Sequence, residues 1–207
     1  MLTVPTILTL FRIALLPVMV IVFYAPFKGA NVVAAAIFLA AGLTDWLDGW
    51  LARRFHLMSA FGAFLDPVAD KLMVAVTLFL LVQDNPTPLM AMTSAVIVGR
   101  EITISALREW MAEIGQRTRV NVAGIGKIKT IMQIVALTVL LYQHDSESLR
   151  FYYVGETLLV VAAAMTIWSA FIYLRAAWPA MRGERGSEDA REPATPVDPV
   201  VDRWSEP

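Results

Sequence analysis

Six apolar runs dominate this 207-residue chain, and their length limits what it can fold into. They cover roughly residues 7–24, 31–51, 61–82, 89–111, 128–143 and 153–176. An α-helix needs about 20 apolar residues to cross a bilayer. The fifth run is short when counted from Ile128, and the others come close to that length. Hydrocarbon offers no partner to a free N–H or C=O, so such runs satisfy their backbones as helices. Hydrophobic residues make up 57% of the chain, too many for an ordinary soluble domain of this size. The expected fold is all-α, a polytopic membrane protein with six transmembrane helices. The first run lacks the basic flank of a signal peptide and is interrupted by Arg12, so it reads as a span. The chain has no cysteine, which excludes disulfides and thiol chemistry.

Charge placement orients the spans. Arg53, Arg54 and His56 fall between the second and third runs. Arg117, Arg119 and Lys127 fall between the fourth and fifth, and Arg175, Arg182 and Arg185 follow the sixth. The opposite turns hold Lys28 and Arg150 beside Asp84, Asp145 and Glu147. The positive-inside bias puts both termini in the cytoplasm, as an even number of spans requires. Residues 1–176 form one helical membrane domain without internal repeats. Residues 177–207 form a cytoplasmic tail whose Pro, Glu, Asp and Arg content cannot bury enough apolar surface to order it.

Against this apolar background stand four carboxylates, Asp45, Asp48, Asp66 and Asp70. A charge at membrane depth costs about 2.5–3.5 kcal/mol on insertion scales, and four like charges repel one another. One divalent cation, or two, held among them would offset both costs. Asp45 and Asp48 lie three residues apart near the cytoplasmic end of the second helix, on one face. Asp66 and Asp70 lie four apart at the cytoplasmic start of the third. Two antiparallel helices joined through the 53–61 segment bring the pairs together. At 1.5 Å rise per residue, all four sit within about 15 Å of the cytoplasmic boundary. Oxygen donors without His or Cys suit Mg²⁺, Mn²⁺ or Ca²⁺ rather than zinc. Gly49 and Gly62 leave space at the same level, for close helix packing or for a ligand. Arg53, one turn beyond Gly49, either grips a phosphate or anchors the positive-inside end.

The spaced set Asp45, Asp48, Gly49, Ala52, Arg53, Gly62, Asp66 and Asp70 is similar, without a gap, to the signature of the CDP-alcohol phosphatidyltransferases. That resemblance implies an enzyme that displaces CMP from a CDP-linked lipid with an alcohol. It implies two divalent ions, Mg²⁺ or Mn²⁺, held by Asp45, Asp48, Asp66 and Asp70, with Asp70 as general base. It assigns Gly49, Arg53, Ser59 and Gly62 to the CDP-lipid side, Ser59 by position alone. It also implies a homodimer in the bilayer of the inner, cytoplasmic membrane. No nucleic-acid partner is called for.

The aspartates do not name the acceptor. Arg100 and Arg108 in the fourth run, with Lys127 and Lys129 opening the fifth, would form a pocket for an acceptor carrying its own phosphate. The alternatives are ion pairs with Glu101 and Glu109, and interfacial snorkelling of the lysines. Being two apart, the lysines point to different faces. Residues 99–110 and 126–130, with the stretch 5–12, resemble the phosphatidylglycerophosphate synthases of the same family. This likeness implies CDP-diacylglycerol and sn-glycerol 3-phosphate as substrates. Thr6 stands where that branch has asparagine.

Arg12 either contacts a substrate phosphate or snorkels. His56 and His144 read as solvent-exposed, and Trp46, Trp50 and Trp110 as an interfacial belt. Other functions remain open to the pattern. One is the same chemistry on inositol phosphate, serine or phosphatidylglycerol. The others are a divalent-cation transporter, for which Gly49, Ala52 and Arg53 would be needless, and a membrane scaffold, which leaves four aspartates unexplained.

Overall fold

A computed structural model describes residues 3–55, 60–114, 123–143 and 149–181. These form six helices: α1 (Val4–Phe23), α2 (Ala30–Phe55), α3 (Ala60–Asp84), α4 (Pro88–Glu113), α5 (Ala123–Gln143) and α6 (Leu149–Met181). Local chemistry explains several boundaries. Proline sits in the first turn of α1 and of α4, where its missing N–H costs nothing. The Thr87 side chain caps α4 by accepting from the Met90 N–H at 3.1 Å. Gly29 turns the chain from α1 into α2 at φ +91°, a conformation that disfavours any side chain.

The helices outrun the apolar segments that announced them. α2 continues to Phe55 because Ala52, Arg53 and Arg54 are good helix formers, so polarity ends the apolar run without ending the helix. Within the connection expected over 53–61, the chain is helical through Phe55 and again from Ala60, and residues 56–59, His56 and Ser59 among them, lie outside the described residues. α5 starts at Ala123 despite Gly124 and Gly126, and α6 runs 33 residues. Among the described residues, α1, α4 and α6 are long and apolar enough to cross a membrane. α2 and α5 carry shorter apolar stretches, Ala30–Asp45 and Lys129–Gln143. In α3 the apolar run is broken by Asp66, Asp70 and Lys71.

α1 packs on α2 and α3, α2 on α5, α3 on α4, and both α4 and α5 on α6. The core between them holds Met19, Phe38, Leu78, Met90, Ile97, Leu137 and Leu159. The outward surface also carries many large apolar side chains. Ile21, Phe64, Phe79, Met92, Ile131 and Phe171 are each more than half exposed. A water-soluble bundle would hide such residues, whereas acyl chains accept them. α5 and α6 approach closely at Gly155, where an added Cβ would lie 2.7 Å from Leu140 Cγ. Small residues permit such contact between membrane helices.

α1 and α3 run parallel, and polar contacts fix their register. Thr9 donates to Asp66, Arg12 to Asp70 at 2.8 Å, Thr77 to the Met19 sulfur at 3.8 Å, and Tyr24 to Gln83. The partners are 57, 58, 58 and 59 residues apart in sequence. One parallel alignment of α1 and α3 therefore satisfies all four.

Candidate active site beneath the helix α1 to α3 junction

The aspartates are organised by α1, the element the sequence motif does not include. Arg12 is 1% exposed, and its Nη1 donates to Asp45 Oδ1 of α2 and Asp70 Oδ1 of α3, both at 2.8 Å. A buried guanidinium needs such partners, because an unpaired charge there would be strongly destabilising. The two carboxylates are more open, at 39% and 51%. Asp66, one turn before Asp70, accepts from the Thr9 hydroxyl. Charge-assisted bonds of this kind are the stronger ones. Gly62 is buried in the first turn of α3.

The side chains of Asp48, Gly49 and Arg53 on α2 lie outside the described set, as do Trp46 and Trp50, and so does Ser59 altogether. Among the described residues, no three carboxylates gather into a metal-binding group. The donor chemistry nevertheless fits a hard divalent cation. Two carboxylate oxygens from different helices converge on one point, and a cationic nitrogen holds that point here.

Below the aspartates opens a cavity of about 380 Å³. Arg12, Asp45 and Asp70 line it, together with Glu101 of α4 and Lys129 and Gln133 of α5. Lys129 is buried and donates to Glu101 Oε1 at 2.6 Å. Arg100 donates to the same oxygen at 3.0 Å through Nη1, and to Ser169 Oγ of α6 at 2.7 Å through Nη2. The buried Nε of Arg100 has no partner among the described residues. The ion pair weighed for Arg100 therefore exists, and it includes Lys129.

Not every expected cation joins this group. Arg108 is exposed, and its guanidinium lies 5.8 Å from the centre of the Tyr173 ring of α6, outside the cavity lining. The Lys127 side chain lies outside the described residues. Trp110 is 40% exposed, in keeping with a belt position. Arg12 neither snorkels nor faces open solvent.

Thr9, Ser169 and the placement of Glu101 in the cavity wall were missed in the sequence. A signal for the first existed. Thr6, Thr9 and Arg12 recur every three residues along one face of an apolar helix, and all three are buried. Thr6 meets Thr3 at 2.9 Å between hydroxyl oxygens.

Comparison with known proteins identifies the family. The family described as CDP-alcohol phosphatidyltransferase matches residues 2–168. The chain is 49% identical over 174 residues to the CDP-diacylglycerol–glycerol-3-phosphate 3-phosphatidyltransferase of Salmonella choleraesuis (strain SC-B67), covering 84% of this chain and 94% of the relative. It is 50% identical over 179 residues to the protein of that name from Yersinia pestis (strain Pestoides F), covering 86% and 96%. A match over most of the chain takes in α1 and the cavity-lining helices as well as the aspartate motif. With its aspartates on facing helices and its sequence matched from residue 2 to residue 168, the chain belongs to the CDP-alcohol phosphatidyltransferase family.

Proposed function

We propose that this enzyme transfers the phosphatidyl group of CDP-diacylglycerol to sn-glycerol 3-phosphate, releasing CMP and forming phosphatidylglycerophosphate. One observation carries the acceptor half of this reading. Asp70 and Lys129 line the same cavity, so a small molecule held by the lysine through its phosphate has a hydroxyl-accepting carboxylate within the same enclosure. The cavity volume lies at the small end of ligand pockets, which span about 300–1,000 Å³. Relatives named for this reaction support the same reading.

Each residue then has a task. Lys129 and Arg100 bind the acceptor phosphate, with Arg108 and Lys127 guiding the anion from the cytoplasmic edge. Asp70 takes the proton from the acceptor hydroxyl as its oxygen attacks the phosphatidyl phosphorus. The bond from that phosphorus to the bridging oxygen of the pyrophosphate breaks, and CMP leaves with the electron pair. Gly49, Arg53, Ser59 and Gly62 flank the CDP group. Asp45, Asp48, Asp66 and Asp70 would hold two Mg²⁺ or Mn²⁺ ions. Such ions, when bound, neutralise the pyrophosphate and stabilise the departing charge.

The setting rests on charge placement, on the apolar runs and on family resemblance. All six helices span the cytoplasmic membrane, with both termini and the aspartates at the cytoplasmic face, and two copies form a homodimer. Residues 177–207 make a cytoplasmic tail beyond the catalytic domain, although α6 itself runs to Met181. Family membership leaves the transporter and scaffold readings without support.

The test is direct. Purified protein receives CDP-diacylglycerol, Mg²⁺ and a panel of alcohols including inositol phosphate, serine and phosphatidylglycerol, and CMP release is measured. Release with glycerol 3-phosphate alone is the expected result. Release with another acceptor in its place would overturn the acceptor assignment, and silence from folded protein with every acceptor would sink the transferase reading.

A further inference from the structure

Arg12 stands in an unusual position for a residue beside a metal site. It reaches the cradle from the protein interior, 1% exposed, whereas the carboxylates that it bridges are 39% and 51% exposed. One nitrogen, Nη1, serves both oxygens. Arg12, Asp45 and Asp70 all border the same cavity, with the guanidinium between the two carboxylates.

We propose that Arg12 is the resident counter-cation of the aspartate cradle, bridging Asp45 and Asp70 and competing with a divalent ion for the same two oxygens. The inference rests on the reading of these aspartates as metal ligands. Two like-charged side chains on separate helices repel until a cation lies between them. With Arg12 between them, α1, α2 and α3 close without waiting for metal. An ion entering from the cavity meets the same two oxygens beside the guanidinium and is repelled by it. Metal binding is then an exchange of one cation for another, and Arg12 lowers the affinity it would otherwise have.

This assignment differs from simple preorganisation in sign. A residue that only shaped the cradle would weaken metal binding when removed. A resident competitor strengthens it. The measurement is Mn²⁺ affinity of the full-length protein in detergent, followed by the electron paramagnetic resonance signal of free Mn²⁺, with no turnover involved. Arg12→Gln is expected to bind Mn²⁺ about tenfold more tightly than wild type. The same variant should unfold at lower temperature in chelator, with Mn²⁺ recovering most of the gap. Arg12→Lys keeps a charge but loses the fork geometry, and about threefold tighter binding is expected.

Equal or weaker Mn²⁺ binding by Arg12→Gln overturns the proposal. Should that variant fail to fold, equal or weaker binding by Arg12→Lys overturns it instead. Absence of Mn²⁺ binding by folded wild type sinks the metal reading itself and the inference with it. Unchanged binding in the variants, with wild type binding normally, sinks the inference alone.

Discussion

Lys129 of α5 and Glu101 of α4 meet at 2.6 Å in the wall of the cavity, and Arg100 shares the same carboxylate oxygen at 3.0 Å. Two cations on one anion leave net positive charge where an acceptor phosphate would enter. Truncating Lys129 to alanine should raise KM for glycerol 3-phosphate by about 10- to 100-fold, the worth of one charged hydrogen bond. KM for CDP-diacylglycerol should stay within about twofold. Steady-state kinetics with each substrate varied in turn checks this, and equal changes in both constants would count against a phosphate role.

Removing the anion of that group has a different consequence. Glu101→Ala leaves Lys129 and Arg100 without their shared carboxylate, and both are largely buried. Losing one partner of a buried pair costs 3–5 kcal/mol, and the partial exposure of Glu101 favours about 3 kcal/mol here. Thermal unfolding in detergent should show a lower midpoint. A midpoint equal to wild type would mean that the cations find other partners.

Asp70→Asn keeps the shape of the side chain and removes its ability to take a proton. Turnover should fall by about 10²- to 10⁴-fold, the usual contribution of a general base. Binding of CDP-diacylglycerol, followed by equilibrium binding of labelled lipid, should change little. Wild-type turnover in this variant would remove Asp70 from the proton step.

Chelation supplies a simple check on the ions. EDTA should abolish CMP release, with Mg²⁺ or Mn²⁺ restoring it and Zn²⁺ failing to, because the donors are carboxylate oxygens. Activity that survives exhaustive chelation would leave the aspartates without their proposed task.

The contact between α5 and α6 is tested by bulk. Gly155→Leu places side-chain atoms where Leu140 and Val139 already lie. Overpacking costs typically about 1–3 kcal/mol, and the upper end is expected at a separation of 2.7 Å. A thermal midpoint unchanged from wild type would show that the helices part without cost.

Much of this was legible in the sequence. Apolar runs gave the six helices, since a bilayer-length run has few other ways to satisfy its backbone. The motif named Asp45 and Asp70, which the structure joins through Arg12, and Asp66, one turn from Asp70 on α3 by its spacing of four. What escaped notice was long-range. Nothing local in residues 3–12 says that Thr9 and Arg12 serve aspartates 57 and 58 residues away. Only the polar repeat at Thr6, Thr9 and Arg12 hinted that this face of α1 meets something other than lipid. Helix ends were misjudged where polarity and helicity part company, as at Arg53 and Arg54. Spacing placed Lys127 and Lys129 on different faces, and the fold buries Lys129 against Glu101. Arg108 had the same residue type as Arg100 and a regular spacing from it, yet it lies exposed near Tyr173 while Arg100 pairs with Glu101 and Ser169, and neither arginine lines the cavity itself.

The four polar contacts between α1 and α3 bear on how the chain finds one arrangement. Two apolar helices in lipid gain little from any particular sliding position, because side chains and acyl tails are nearly equivalent neighbours. A slip of one turn would keep most of the greasy contact while separating Arg12 from Asp70, Thr9 from Asp66, Thr77 from Met19 and Tyr24 from Gln83 all at once. The rungs thus act as a key that only one alignment turns. Two of them are also parts of the aspartate cradle, so a misaligned pair of helices would be inactive as well as mismatched.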